Sequence, residues 1–143
     1  IGIVEGRPAT LNEAGFAALV YVTVGQISNI PAFGPTISVV ESKPLATGIT
    51  EKFVGFINNG SVTLDADFDD EDAGQALVTD AVTFSDPSFG KEFSFELTYQ
   101  SGAKRYWVGR FFSATEAPNG ADSMVTTSMQ VEINTDVLKV AAP

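Results

Sequence analysis

Between Ser61 and Val82 the hydrophobic pattern alternates and then changes period. Val62, Leu64, Ala66 and Phe68 fall on one side of an extended segment, and Ser61, Thr63, Asp65, Asp67 and Asp69 on the other. That period of two predicts a strand with one buried and one wet face. Asp70, Glu71 and Asp72 come next; their carboxylates suit the orphan N–H groups and the positive dipole end of a helix start. Ala73, Ala76, Leu77 and Ala81 then recur at helical spacing, a narrow apolar stripe for docking on a sheet.

Elsewhere the pattern is that of strands. Phe16 to Ile30 keeps Val20, Val22 and Val24 in phase, then shifts at Gly25-Gln26 to reach Ile27, which predicts a long strand bent at a bulge. Pro31 and Gly34-Pro35 predict a turn before a strand over Thr36 to Glu41. Ser42 to Thr50 is longer than the two to five residues usual for a hairpin loop, an excess that contact with a partner explains. Glu51 to Ile57 resumes as a strand, and Asn58-Asn59-Gly60 is a hairpin signal. After a loop over Thr83 to Gly90, Phe93, Phe95, Leu97 and Tyr99 alternate with polar residues. Lys104 to Ala114 is bulky on both faces, as in a buried strand or a subunit contact, and Val125, Thr127, Met129, Val131 and Ile133 alternate to the end of a last strand. Ile1 to Glu13 carries few periodic apolar residues and predicts an arm, or a strand held by a neighbour, rather than a core element. The domain plan is an inter-subunit arm over residues 1–15 and one domain over residues 16–143.

Composition narrows the chemistry. A chain of 143 residues fits one domain with a core that needs no covalent staples. It has no cysteine and no histidine, which removes disulfides, thiol chemistry, the usual general base and the commonest nitrogen ligand of transition metals. Eight basic against eighteen acidic residues give a net charge of −10, which argues against a phosphate-neutralising nucleic-acid clamp. No apolar run approaches the ~18 residues of a membrane span, so no membrane role is expected. The chain opens at Ile1 rather than Met, consistent with an upstream piece removed or left out.

The candidate sites are weak as catalysts. Asp65, Asp67 and Asp69 match the first ligand positions of a calcium loop, but Asp70 stands where its glycine and Ala76 where its glutamate belong, so no metal or cofactor is expected. No phosphate-cradling glycine motif and no activated serine occurs, and an enzyme is not expected. Tyr106, Trp107, Phe111 and Phe112 could stack a sugar, which keeps a carbohydrate-binding β-sandwich open as a rival. At strand spacing, however, such aromatics more often build a core or an interface.

Taken in order, FVGFINNGSVTLDADFDD (Phe53 to Asp70), GQALVTDAV (Gly74 to Val82), YWVGRFF (Tyr106 to Phe112) and MQVEINTDV (Met129 to Val137) resemble the tail tube proteins of long-tailed bacteriophages. That family is similar to the tubes of contractile tails and type VI secretion. The resemblance covers residues 16–140 and implies a mainly β fold, an antiparallel β-sandwich or barrel flanked by one short α-helix. It also implies homo-hexameric rings stacked into a tube in the virion tail, made in the bacterial host cytoplasm, with tape-measure and tail terminator proteins as partners. Viral DNA passes through such a tube without specific binding. Ser42, Lys43, Pro44, Leu45, Thr47, Ile49 and Arg7 are the candidates for contacts between rings. Asp65, Asp67, Glu96 and Glu132 lie on polar sides of alternating strands and are the candidates for the bore, with the outer wall as the competing placement. A subunit of a type VI-like secretion tube is the alternative of the same fold.

Overall fold

The computed structural model describes residues 1–143. In chain order the elements are β1 (Gly2–Glu5), α1 (Glu13–Ala17), β2 (Val22–Thr23), β3 (Ile27–Asn29), β4 (Thr36–Ser42), β5 (Glu51–Asn58), β6 (Ser61–Asp67), α2 (Ala73–Val82), β7 (Phe93–Thr98), β8 (Lys104–Ala117), β9 (Thr126–Ile133) and β10 (Leu138–Val140). Eight strands form one antiparallel sheet in the order β2-β1-β7-β8-β9-β6-β3, with β10 beside the first residues of β8. β4 and β5 form a separate two-stranded sheet.

Alternation decides what goes inside. Val62, Leu64 and Ala66 of β6, Phe93, Phe95 and Leu97 of β7, Trp107 and Phe111 of β8, and Met129, Val131 and Ile133 of β9 are all buried in one cluster. The pairings Leu64↔Met129, Phe111↔Val131 and Phe95↔Trp107 keep these residues on the same face across the sheet. Phe95 stacks on Trp107 at 5.3 Å and 8° between planes, and Phe111 meets Phe93 and Phe95 edge-on at 5.3 and 5.4 Å. Such pairs add about 0.5–1.5 kcal/mol each beyond their buried area.

The two edges of the sheet, β2 and β3, are separated in sequence only by Val24, Gly25 and Gln26. Three residues cannot cross an open seven-strand sheet, so the sheet curls until its edges nearly meet, as in a barrel. The corner turns at Gln26, whose φ of 62° lies in the left-handed region. α2 closes the gap. Its Gly74 sits where a Cβ would come within 2.4 Å of the Thr23 carbonyl oxygen, and its Val78 and Ala81 complete the core. Gln75, almost wholly buried, donates through Nε2 to the Gly25 and Asp67 carbonyls at 3.1 and 2.9 Å and accepts from the Asp69 N–H at 3.0 Å. Asp72, the N-cap, accepts from the Gln75 N–H at 2.9 Å and the Gly25 N–H at 3.1 Å.

Five expectations need correction. Ile1 to Glu13 does not stand apart from the core: β1 pairs with β2 and β7 of its own chain and Ile3 is fully buried. A four-residue strand with one inward apolar side chain leaves no periodic trace in the sequence. Phe16 to Ile30 is not one bent strand; α1 ends at Ala17, and β2 and β3 lie on opposite edges. Asn58 to Gly60 does not close a hairpin, because β5 pairs with β4 while β6 pairs with β9 and β3. Gly60, at φ 82°, instead turns the chain out of one sheet and into the other. The buried face of α2 is Gly74, Gln75, Val78 and Ala81, leaving Ala73 and Ala76 exposed, since polar Gln75 is drawn inward by three backbone partners. β10, too short to show a period, follows the strand expected to be last.

Gln75→Leu preserves volume but strands the Gly25 and Asp67 carbonyls and the Asp69 N–H. An unsatisfied buried group costs ~1–3 kcal/mol, so urea denaturation is expected to show a loss of at least ~2 kcal/mol. No loss would mean that α2 is held by packing alone.

Candidate functional site

Two surfaces stand out. The first is the β4–β5 hairpin, whose strands of seven and eight residues extend about 25 Å at ~3.3 Å per residue. No other strand hydrogen-bonds to it, and nearly every residue in it is exposed. Yet its side chains are those of an interior. On one face Ile37 lies opposite Ile57 and Val39 opposite Val54; on the other Val40 lies opposite Phe53, and Phe56, at the irregularity in β5, is 92% exposed. A lone two-stranded hairpin is marginal in water, and an apolar surface on both sides of one is the mark of an interaction element.

The second surface is the sheet face opposite the core. Register places Ser61, Thr63, Asp65 and Asp67 of β6 beside Glu132, Gln130, Ser128 and Thr126 of β9. Gln130 and Ser128 in turn pair with Ser113 and Thr115 of β8. The result is a carpet of hydroxyls, amides and carboxylates. Asp65 Oδ1 accepts from Ser128 Oγ at 3.0 Å and Glu132 Oε1 from Gln130 Nε2 at 3.0 Å. The single guanidinium there, Arg110, is turned aside to the Gly90 carbonyl and to Glu92, 2.9 Å away. A shift of register between Phe111 and Ser113 leaves Phe112 as an exposed aromatic beside this carpet.

The β7 end of the same face is covered. Phe16 of α1 stacks on Tyr106 at 5.2 Å, with Val108 beneath and Tyr21 at the side. Glu96 Oε2 accepts from Lys104 Nζ at 3.1 Å and from the Tyr106 hydroxyl at 3.0 Å. The hydrogen bond to Glu96 raises the Lys104 pKa, burial raises that of Tyr106, and burial raises that of Tyr21 further still.

The residues expected from sequence are therefore distributed as follows. Asp65, Asp67 and Glu132 share the open polar face, whereas Glu96 lies on the same face at its covered end, held by Lys104 and Tyr106. Ser42, Lys43, Pro44, Leu45, Thr47 and Ile49 form the hairpin tip, with Leu45 fully exposed. Arg7 is remote from that tip, paired with Glu92 at the start of β7, while the hairpin is entered through Ile30 to Pro35 beside Leu97 and Tyr99 at its end. Tyr106, Trp107 and Phe111 are buried, leaving Phe112 alone and removing the aromatic platform that a sugar-binding reading requires. The hairpin body was the missed surface. Its signal was legible as apolar residues on both faces of paired strands bounded by polar turns.

No family model and no curated protein matches the sequence. Solved structures do. A chain in the tail of an empty gene transfer agent particle, refined with C6 symmetry, superposes with a TM-score of 0.63 at 13% identity over 87% of this chain and 89% of that one. A chain of the sheath-tube complex of the extracellular contractile injection system PVC gives 0.61 at 12% over 93% and 100%. The SPP1 tail tube gives 0.59 at 16% over 87% and 71%. This is the tail tube fold. The fold is shared with chains from phage-like tails and contractile injection systems, as the sequence resemblance implied.

Replacing residues 36–58 of this tail tube fold by a short turn is expected to leave circular dichroism of the remaining sheet intact and to change its urea stability by no more than ~0.5 kcal/mol, because no other strand hydrogen-bonds to the hairpin and none of its residues belongs to the core cluster. A loss of several kcal/mol would show hidden support. Lys104, Tyr106 and Tyr21 all hold their protons more tightly folded than unfolded. Stability is therefore full below their ordinary values of 10.0 to 10.5 and falls as pH rises beyond them. Tyr106→Phe should cost about 1 kcal/mol at neutral pH through its lost hydrogen bond and make the alkaline fall shallower, as read from unfolding midpoints between pH 8 and 12.

Proposed function

We propose that this chain is the structural subunit of a tail tube, non-enzymatic, assembling into stacked hexameric rings in a virion tail, with an acidic bore through which DNA passes. The observation that carries the reading is the hairpin: about 25 Å of paired strand, apolar on both faces, without a partner in its own chain. Copies of the same chain supply that partner most economically. A heterologous contact that closes gives a ring, and ring formation hides edges and apolar faces that a monomer exposes. The C6 symmetry named for the gene transfer agent tail supports six copies to a ring.

The bore follows from charge and texture. The face carrying Asp65, Asp67 and Glu132 offers hydroxyls and carboxylates and no free cation to grip a phosphate backbone. Six copies at −10 carry −60 per ring, against a duplex with one negative charge per ~1.7 Å. Screening over ~10 Å at 0.1 M salt confines the repulsion to the wall, where it keeps the duplex from adhering. The hairpin tip, Ser42 to Ile49, meets the neighbouring ring, and terminator and tape-measure proteins are the expected partners at the ends and in the lumen. A tube of a contractile injection or secretion system is the second reading, favoured by the PVC and anti-feeding prophage structures among those matched.

Negative-stain microscopy of concentrated wild-type protein should show rings and rods. Val54→Asp with Phe56→Asp should leave the melting transition in place and abolish both, as should shortening Ser42 to Thr50 to a two-residue turn. Normal rods from either variant would reject the assignment.

A further inference from the structure

We propose that the Thr83–Gly90 loop of one copy docks its two exposed phenylalanines into the apolar pocket beside Tyr99 and Arg105 of the next. The contact rests on the tube reading and names a pair of surfaces that holds successive copies head to tail.

The loop is a prepared knob. Its backbone is knit by Asp86 N–H to the Thr83 carbonyl, Phe89 N–H to the Asp86 carbonyl and Gly90 N–H to the Ala81 carbonyl, at 3.0 to 3.1 Å. Asp86 Oδ1 accepts from the Ser88 N–H at 2.8 Å, and Ser88 Oγ donates to Glu5 at 3.0 Å, tying the loop to the sheet. On this frame Phe84 and Phe89 sit edge to face with ring centres 5.4 Å apart, yet Phe84 is 87% and Phe89 45% exposed. Ordered aromatics left in water are anchors that lose little entropy on binding.

The pocket is its complement. It encloses about 570 Å³ between the Ile30 to Pro35 connection, Leu97, Tyr99 and Val137. Its two charged groups are both basic, Arg105, whose guanidinium lies 4.8 Å over the Tyr99 ring, and Lys139. In a chain of net charge −10 a cavity with cations and no carboxylate is an exception, and it selects an aromatic occupant bearing a carboxylate. Phe84, Asp86 and Phe89 meet that description. The apolar hairpin tip brings Lys43 instead, a like charge. The knob cannot fill its own pocket, because it adjoins the start of β7 and the pocket adjoins the end, six residues and about 20 Å away. The match is therefore between copies, and with knob and pocket on different surfaces it propagates rather than closing as a pair.

The absence of cysteine makes the test clean. Phe84→Cys with Tyr99→Cys in one chain places thiols too far apart for an internal disulfide, which needs Cα atoms within ~7 Å. Mild oxidation of concentrated protein is expected to give a ladder of linked chains on a non-reducing gel. Monomers only, or dimers only, would overturn the contact. So would a ladder from Leu45→Cys with Tyr99→Cys in place of the first, which would give the pocket to the hairpin tip. Arg105→Glu should raise the protein concentration needed for assembly about tenfold, equivalent to ~1.4 kcal/mol. An unchanged concentration counts against the pairing. Wild-type rods without a ladder would remove this contact and leave the tube reading standing; a ladder without wild-type rods would do the reverse.

Discussion

Curling a sheet until its edges approach leaves backbone groups at the seam that no strand can satisfy, and here one buried amide meets them. Gln75 bridges the Gly25 carbonyl on one side and the Asp67 carbonyl and Asp69 N–H on the other, while Asp72 takes the Gly25 N–H. The barrel-like closure, the position of α2 and the placement of Val78 and Ala81 over the aromatic stack all follow from that seam. Loss of a single partner in such a network exposes the desolvation cost of the others, which is why the seam is more fragile than its size suggests.

With the seam closed, the core is complete without β4 and β5. That separation of duties is the functional content of the fold. One part of the chain satisfies itself, with aromatics interleaved across β7 and β8 and regular alternation across β6 and β9. The other carries interior-grade side chains on a surface, the mark of an interaction element. The polar face of the sheet falls between these cases. Its carboxylates are hydrogen-bonded by neighbouring hydroxyls and amides rather than neutralised by cations.

Much of this was legible in the chain. The strand over Ser61 to Asp67, the acidic helix start over Asp70 to Asp72, the aromatic hairpin of β7 and β8 and the alternation of β9 follow from period and local chemistry, and the structure keeps them, with Asp72 as the cap. The inward and outward sides of β6 were readable for the same reason, which brought Asp65 and Asp67 to the open face together. What failed to show were elements whose placement is set by distant residues. β1 has one inward residue and is recruited by Phe95, ninety-two positions later than Ile3. Gln75 reads as a surface amide until the carbonyls of Gly25 and Asp67 are brought to it. Asn58 to Gly60 has the composition of a hairpin turn, but β6 finds β9 a better partner than β5.

The sequence by itself determined the character of each face, because alternation, charge and the absence of cysteine and histidine are local properties that survive any folding. It determined a β-rich chain with one principal helix, an acidic balance and no cysteine or histidine chemistry. Only the tertiary structure decided which strands pair, that Glu96 is occupied by Lys104 and Tyr106 while Asp65 remains open, and that the hairpin stands away from the core. Those outcomes depend on contacts between residues far apart in the chain, where register and closure are settled by competition among partners that no local pattern records.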